Sequence, residues 1–575
     1  MSSLLLAVIM LGGYFVAYHT YGRFLGQKIF RIAADAVCPS HEFQDDVDFV
    51  PTNKHILFGH HFTSIAGLGP IVGPAIAIIW GWVPAVLWVF LGSIFFGAVH
   101  DFGALIVSLR NQGRSIGDIS AGLVNNRVRT LFLLIIFFFL WTVIAVFALI
   151  IGILFNMYPQ AVLPVWIEVP IAVWLGHMVY KRGASHVTLG IVAVILLYIF
   201  VVIGAYVPLD LKALGLSESG ALITWIIIMF IYSYIASALP VQTLLQPRDY
   251  INSHQLFIAF ALLILGVIVA RPEIVAPALN ISPEGAPPFW PFLFVVIACG
   301  AISGFHSLVS SGTSSKQCYS ETDARFVGYG SMLMEGTLAA LVIISVAAGI
   351  GLGLTTKDGT TLMGVAAFNH HYASWAAASG LGAKIGAFVS GAANMISAYG
   401  IPAKITITIM GVFIVSFAAT TLDTATRLQR YVIGELATVC KFPKLTGRHP
   451  ATMIAVITAF ILAFYNGSGK GALTLWPLVG TVNQLLAALS LLVITLYLAK
   501  KKVSTVYTII PMIFMVIMTG WAMVLNLEKF FTTSSWLLFF IGFAVFVLEI
   551  WMMIESVVVL KKVYGVEEGL PQPAS

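Results

Sequence analysis

Apolar residues collect in long runs along the chain, each about as long as a membrane-crossing helix and separated by short polar stretches. A helix needs roughly 20 such residues to cross hydrocarbon, and about fifteen runs reach or approach that length. They fall near 2–18, 61–82, 83–109, 130–155, 161–180, 185–208, 221–239, 255–270, 290–311, 326–354, 400–422, 449–466, 472–499, 503–526 and 534–558. The basic residues test this count. Arg23, Lys28 and Arg31, then Arg110 to Arg129, Lys181 and Arg182, Arg248, Lys316 and Arg325, Arg427 to Arg448, Lys500 to Lys502, and Lys561 with Lys562 occupy alternate loops. Positive loops stay in the cytoplasm. Fifteen spans therefore predict an N-terminus outside and a C-terminus inside. Gly382 to Tyr399 is apolar but short and rich in Gly, Ala and Ser, and counting it as a span would invert every later loop. It is expected as a re-entrant or external hairpin. The loop from Asn111 to Arg129 is expected to carry a short amphipathic helix on the cytoplasmic surface.

Composition narrows the class without changing the count. The 575 residues are 59% hydrophobic and 9% charged, against about 25% charged in soluble chains. That balance excludes a soluble domain and leaves a polytopic all-α membrane protein. The net charge of +6 belongs to the loops that set topology, so no nucleic-acid partner is expected. Cys38, Cys299, Cys318 and Cys440 stand alone, with neither a disulfide framework nor a zinc pattern. The run Ser2 to Tyr18 has no basic flank and no small-residue cleavage site, so it reads as a retained helix.

Two stretches break the helical pattern. His60 to Ile78 reads HHFTSIAGLGPIVGPAIAI, with Gly67, Gly69, Pro70, Gly73 and Pro74 close together. Proline removes a donor and glycine yields helical order cheaply, so this span should be interrupted at mid-membrane. Interrupted backbone is tolerated there only inside protein or along a cavity. Cys299 to Lys316, CGAISGFHSLVSSGTSSK, repeats the theme with glycines and hydroxyls. His61 precedes Gly67 by six residues and His306 precedes Gly312 by six. The predicted topology runs these two segments in opposite directions, as in an inverted-repeat transporter; the alternative is ordinary close packing through small residues. A third stretch, FAATTLDTATRLQRY, places Thr420 and Thr421 at the end of a span, before Asp423, Arg427 and Arg430. Carbonyls freed near Ala66 and these two hydroxyls would suit a sodium ion. The alternative is that the threonines bond one turn back and the charges form a solvated helix end.

Ionisable residues inside spans need a reason, since each costs about 2.5–3.5 kcal/mol at the bilayer centre. His100 and Asp101 lie well inside one span and Glu335 inside another; they read as a proton relay or as structural polar contacts. His61 and His306 flank the expected breaks and could couple protonation to anion binding. A metal held by His60, His61 and His306 would need all three to converge.

With HHFTSIAGLGPIVGP, GSIFFGAVHDFGALIVSLRNQGRSIGDIS and TTLDTATRLQRY in view, most of the chain resembles the carbon starvation protein A family. The resemblance implies an inner-membrane transporter of a five-plus-five inverted-repeat (LeuT/APC-like) fold, implicated in uptake of peptides and, in some members, proton-coupled uptake of pyruvate. On that fold a single transmembrane domain, 1–575, would hold core repeat one at about 56–208 and core repeat two at about 290–499. A hairpin at about 221–270 would be inserted between them, and the helices at about 503–558 would be peripheral. Span 61–82 becomes the first core helix, 290–311 the sixth and 400–422 the eighth. A rival register makes the segment around Pro240 the sixth.

The function expected is secondary transport of a small carboxylate-bearing solute, pyruvate or a short peptide, across a bacterial inner membrane. Amides after Gly67 and Gly69 carry the partial positive charge of a helix N-terminus, and with His61, His306, Ser307, Ser310 and Ser311 they form the expected solute site. Asp101 and Glu335 argue for H⁺ as coupling ion; Ala66, Thr420 and Thr421 argue for Na⁺. No Walker sequence, cofactor or resident metal is expected, and the oligomeric state is not legible. The rival classes are a gated channel and a membrane-embedded metalloenzyme.

Overall fold

The computed structural model describes residues 2–356 and 358–565. Apart from a small antiparallel ribbon, Leu354–Thr355 with Thr361–Leu362, the regular elements of these residues are helices. Among the described residues, twelve helices are long and apolar enough to cross a membrane, and the bent pair Lys54–Ile65 and Gly69–Trp80 makes a thirteenth. Two expected runs fall short of a continuous crossing. The run near 449–466 is the 17-residue helix Arg448–Phe464, and the run near 290–311 is divided into Phe289–Val296 and Gly304–Gly312. Among the described residues, twelve or thirteen crossing helices thus stand where the sequence suggested about fifteen spans, and the interruption expected within 290–311 is present.

Burial sorts the helices into centre and rim. The apolar windows of Trp476–Lys500, Glu321–Leu352 and Ala403–Val439 are 100%, 94% and 89% buried, whereas those of Trp536–Lys562, His186–Tyr206 and Ser3–Ile29 are 22%, 28% and 33% buried. Apolar side chains left exposed on the second group suit a hydrocarbon solvent, in which only the backbone must be satisfied internally. The first group encloses the two interrupted helices.

Two boundaries differ in ways that matter for chemistry. The span expected at 400–422 is the 37-residue helix Ala403–Val439, so Thr420 and Thr421 lie at its middle, not at its end. The segment expected at 382–399 is the helix Leu381–Ser397, which is not among the crossing helices; it follows the short helices Gly364–His371 and Trp375–Ala378. The Asn394 amide donates to the carbonyls of Gly349 and Gly353 and ties this hairpin down. The loop after Leu109 does carry a short helix, Ile116–Leu123, capped by the Ser115 hydroxyl, with Ile116 and Ile119 buried.

Candidate functional site

The first interruption spans Ala66 to Leu68, where the helix ends at Ile65 and resumes at Gly69 with a bend of 45°. Pro70 sits in the first turn of the new helix, where a missing N–H costs nothing. The second interruption runs from Ile297 to Ser303, with Gly300 at φ +91°, in the left-handed region glycine tolerates. The two breaks touch. A Cβ on Gly69 would stand 2.3 Å from Cys299 Sγ, and one on Gly73 would stand 2.5 Å from the Val296 carbonyl. Further along, His61 meets Ser314 and His60 meets Thr313. As residue numbers rise in one helix they fall in the other, so the two broken helices pass antiparallel.

The second break lies a few residues earlier than the sequence indicated. Ser307, Ser310 and Ser311 belong to the regular helix Gly304–Gly312. Ser307 bonds the Gly304 carbonyl and the Ser490 hydroxyl, while Ser311 donates to the Ser307 carbonyl and accepts from the Ile116 amide. Ser310 Oγ is buried without a partner among the described residues. The amides freed at this break are also claimed. Gly300 N–H donates to Glu335 Oε1 at 3.1 Å, and Phe305 N–H donates to Asn483 Oδ1 at 3.0 Å. These two amides of the second break are held by side chains.

Behind the second break, three ionisable residues far apart in sequence converge. His306 Nδ1 lies 3.1 Å from Asp101 Oδ2 and its Nε2 lies 3.3 Å from Glu335 Oε2, the latter at ion-pair distance without hydrogen-bond alignment. His100 Nδ1 holds the other Asp101 oxygen at 2.7 Å. All four residues are fully buried. The Cys299 thiol, His306 and Glu335 bring one donor atom each within 4.8 Å of one another. His60 and His61 do not join them in a metal set: His60 bonds Asp249 and Thr313, and His61 bonds Ser314.

A second buried group surrounds Thr420. Arg248, placed on the helix Leu245–Ala270, pairs with Asp423 and the Tyr232 hydroxyl. Its Nη2 donates to Thr420 Oγ1 at 2.7 Å, the Asn252 amide donates to the same oxygen at 3.2 Å, and that hydroxyl donates to the Ser416 carbonyl. A hydroxyl offers one donor and two acceptor positions, so Thr420 has no lone pair left for an ion. Thr421 bonds the Phe417 carbonyl one turn back and packs against Gly67, whose Cβ would stand 2.1 Å from Thr421 Oγ1. Sequence reasoning missed Arg248, Asp249, Asn252 and Tyr232, which come from the segment expected to be an inserted hairpin.

A cavity of about 320 Å³ adjoins both breaks. Gly67, Leu68, Gly69 and Thr421 line it from one side, Ala298, Cys299 and Ser303 from the other, and Trp375 and Trp476 with several phenylalanines form apolar walls. That volume is at the low end of the roughly 300–1,000 Å³ typical of small-molecule pockets. Of the expected solute residues, Gly67 and Gly69 line it; His61, His306, Ser307, Ser310 and Ser311 do not. Ala66 lies buried in the break itself, and Asp101 and Glu335 stand behind Cys299 and Gly300.

A family model described as carbon starvation protein CstA matches residues 2–522. The chain belongs to this family. Among curated members, the pyruvate/proton symporter BtsT of Escherichia coli is 32% identical, covering 93% of this chain and 84% of that one. The peptide transporter CstA of Campylobacter jejuni is 32% identical over 90% and 79%, and that of Bacillus subtilis 31% identical over 88% of each. A crystal structure of a manganese transporter from Eremococcus coleocola matches with TM-score 0.50 and 9% identity over 90% of this chain and 99% of that one, a likeness of fold alone. Within the carbon starvation family this chain is a multi-pass membrane transporter.

Proposed function

We propose that the protein imports a small carboxylate-bearing solute, pyruvate or a short peptide, across a bacterial inner membrane by proton-coupled alternating access. The observation that carries this reading is the antiparallel meeting of two interrupted helices at one cavity, with Asp101, His306 and Glu335 directly behind the junction. Opposed broken helices at a shared site are how inverted-repeat carriers hold solute and ion. In this reading Lys54–Trp80 is the first core helix, the interrupted pair Phe289–Val296 and Gly304–Gly312 the sixth, and Ala403–Val439 the eighth. In the same reading the N-terminus lies outside. The named activities of the relatives, peptide transport and pyruvate–proton symport, agree with it.

Charge arithmetic favours H⁺ over Na⁺. With His306 as imidazolium and His100 neutral, the two carboxylates leave a single buried negative charge, which one further proton neutralises. Buried charge without such compensation is expensive, so the cluster gains by taking a proton when solute is present and releasing it on the other side. The sodium alternative loses its first ligand, because Thr420 is saturated by a guanidinium that already supplies positive charge there.

Uptake of labelled pyruvate and dialanine into proteoliposomes, under a proton gradient without sodium and under a sodium gradient without a pH difference, tests the proposal. Accumulation only under the proton gradient, abolished by an uncoupler, is the expected result. Accumulation under sodium alone would overturn the choice of ion, and a conductance without saturation would indicate a channel.

A further inference from the structure

The cavity described above is lined by one charged residue, Lys384, on the hairpin helix Leu381–Ser397. Its surroundings leave the charge unanswered. Lys384 is partly buried, and among the described residues no carboxylate pairs with its ammonium. The neutral polar groups of the cavity are largely committed to one another: Asn483 holds Ser303 and the Phe305 amide, and the Asn526 amide donates to Thr481. Lys384 alone brings three donors with no acceptor assigned.

Its position on the helix sharpens the point. Lys384 lies in the first turn after Gly380, a residue with no capping side chain, and its own N–H bonds the Gly380 carbonyl. A cation in a first turn opposes the helix dipole, so helix stability does not explain it there. The same first turn directs free amides toward negative charge. An unpaired ammonium, an uncapped helix start and walls of Trp375 and Trp476 together make a site for an apolar-bodied anion.

We infer that Lys384 receives the carboxylate of the transported solute, holding it at the hairpin end of the cavity while the uncharged remainder lies against the two breaks. This rests on the transport reading above and deepens it by naming the residue that selects acids over their neutral analogues. It also gives the hairpin a task, since a solute bound to Lys384 bridges Leu381–Ser397 and the interrupted helices.

Calorimetry on purified full-length protein, comparing pyruvate with pyruvamide and alanyl-alanine with alanyl-alaninamide, tests this directly. For at least one pair, the wild-type protein should bind the acid at least about tenfold more tightly than the amide. Lys384→Gln should weaken acid binding by about ten- to a hundredfold, the range expected for loss of a charge-assisted hydrogen bond, and leave amide binding within about twofold. Lys384→Arg should restore most of the preference. Equal preference for acid in Lys384→Gln and wild type would overturn the inference, as would a wild type without acid preference, which needs no variant to fold. Lys384-dependent acid binding in a protein that fails to accumulate solute in proteoliposomes would leave the inference standing and sink the transport reading instead.

Discussion

At Thr420 a fixed charge and a mobile ion compete for one oxygen, and the fixed charge has it. Arg248 is 3% exposed and Asp423 fully buried, so each is tolerable only because the other is present. Arg248→Ala should cost about 3–5 kcal/mol, the range for stripping one partner from a buried pair, read as a large drop in thermal unfolding temperature in detergent. The double variant Arg248→Met with Asp423→Leu should recover much of that loss, and a double variant no more stable than Arg248→Ala would count against a simple pair. Thr420→Val should leave proton-driven uptake within about threefold if no sodium binds there. These residues were visible in the sequence but misjudged. Basic residues near a span end default to topology markers, so Arg248 was assigned to a loop and Arg427 to a solvated helix end. Both are buried because Leu245–Ala270 and Ala403–Val439 extend further than their apolar runs. Asp101, His306 and Glu335 were legible one by one as charges in hydrocarbon. Their meeting was not, since no local pattern joins positions 101, 306 and 335.

At the scale of the element, the two broken helices depend on glycine for closeness rather than for flexibility alone. Gly69→Ala would drive a methyl to 2.3 Å from Cys299 Sγ and 2.4 Å from its Cβ, forcing the breaks apart. Uptake should fall at least about tenfold, and Cys299→Gly in the same chain should restore most of it by removing both obstructing atoms. Failure of that suppressor, with both proteins folded, would show that the breaks need not touch. The first break was legible because Pro70 and Pro74 join the glycines there. The second was displaced for a physical reason: Ser307, Ser311 and Ser315 each donate back to a carbonyl three or four residues earlier. Such back-bonding satisfies the hydroxyls inside the helix at a slight cost to it, so the serines that looked like the interruption belong to the segment that follows it.

For the whole molecule, the cavity adjoins both breaks, and a charged latch away from its lining holds the long helix to a loop. Arg427 Nη1 and Arg430 Nη2 reach Asp48 at 2.6 and 2.7 Å, tying the end of the long helix to the loop before the first broken helix. Burial works to raise the Asp48 carboxyl, but Arg427 and Arg430, with Lys316, outweigh it and hold the group below the usual carboxylate range. A depressed value in the folded state means stability fully present above the unfolded value, about 3.9, and lost only as pH falls below it. The latch should therefore be indifferent to pH between about 5 and 8. Asp48→Asn should lower the unfolding temperature by the same amount at pH 5.5 and pH 7.5, and an offset that shrinks at the lower pH would contradict this. On the proton-coupled reading proposed above, the pH response of transport belongs to the cluster behind the second break. The most direct measurement is uptake of labelled pyruvate and dialanine by Asp101→Asn in proteoliposomes, under an inward proton gradient and, separately, under solute-for-solute exchange. The account predicts that the variant loses gradient-driven accumulation and keeps exchange; accumulation at the wild-type level would contradict it.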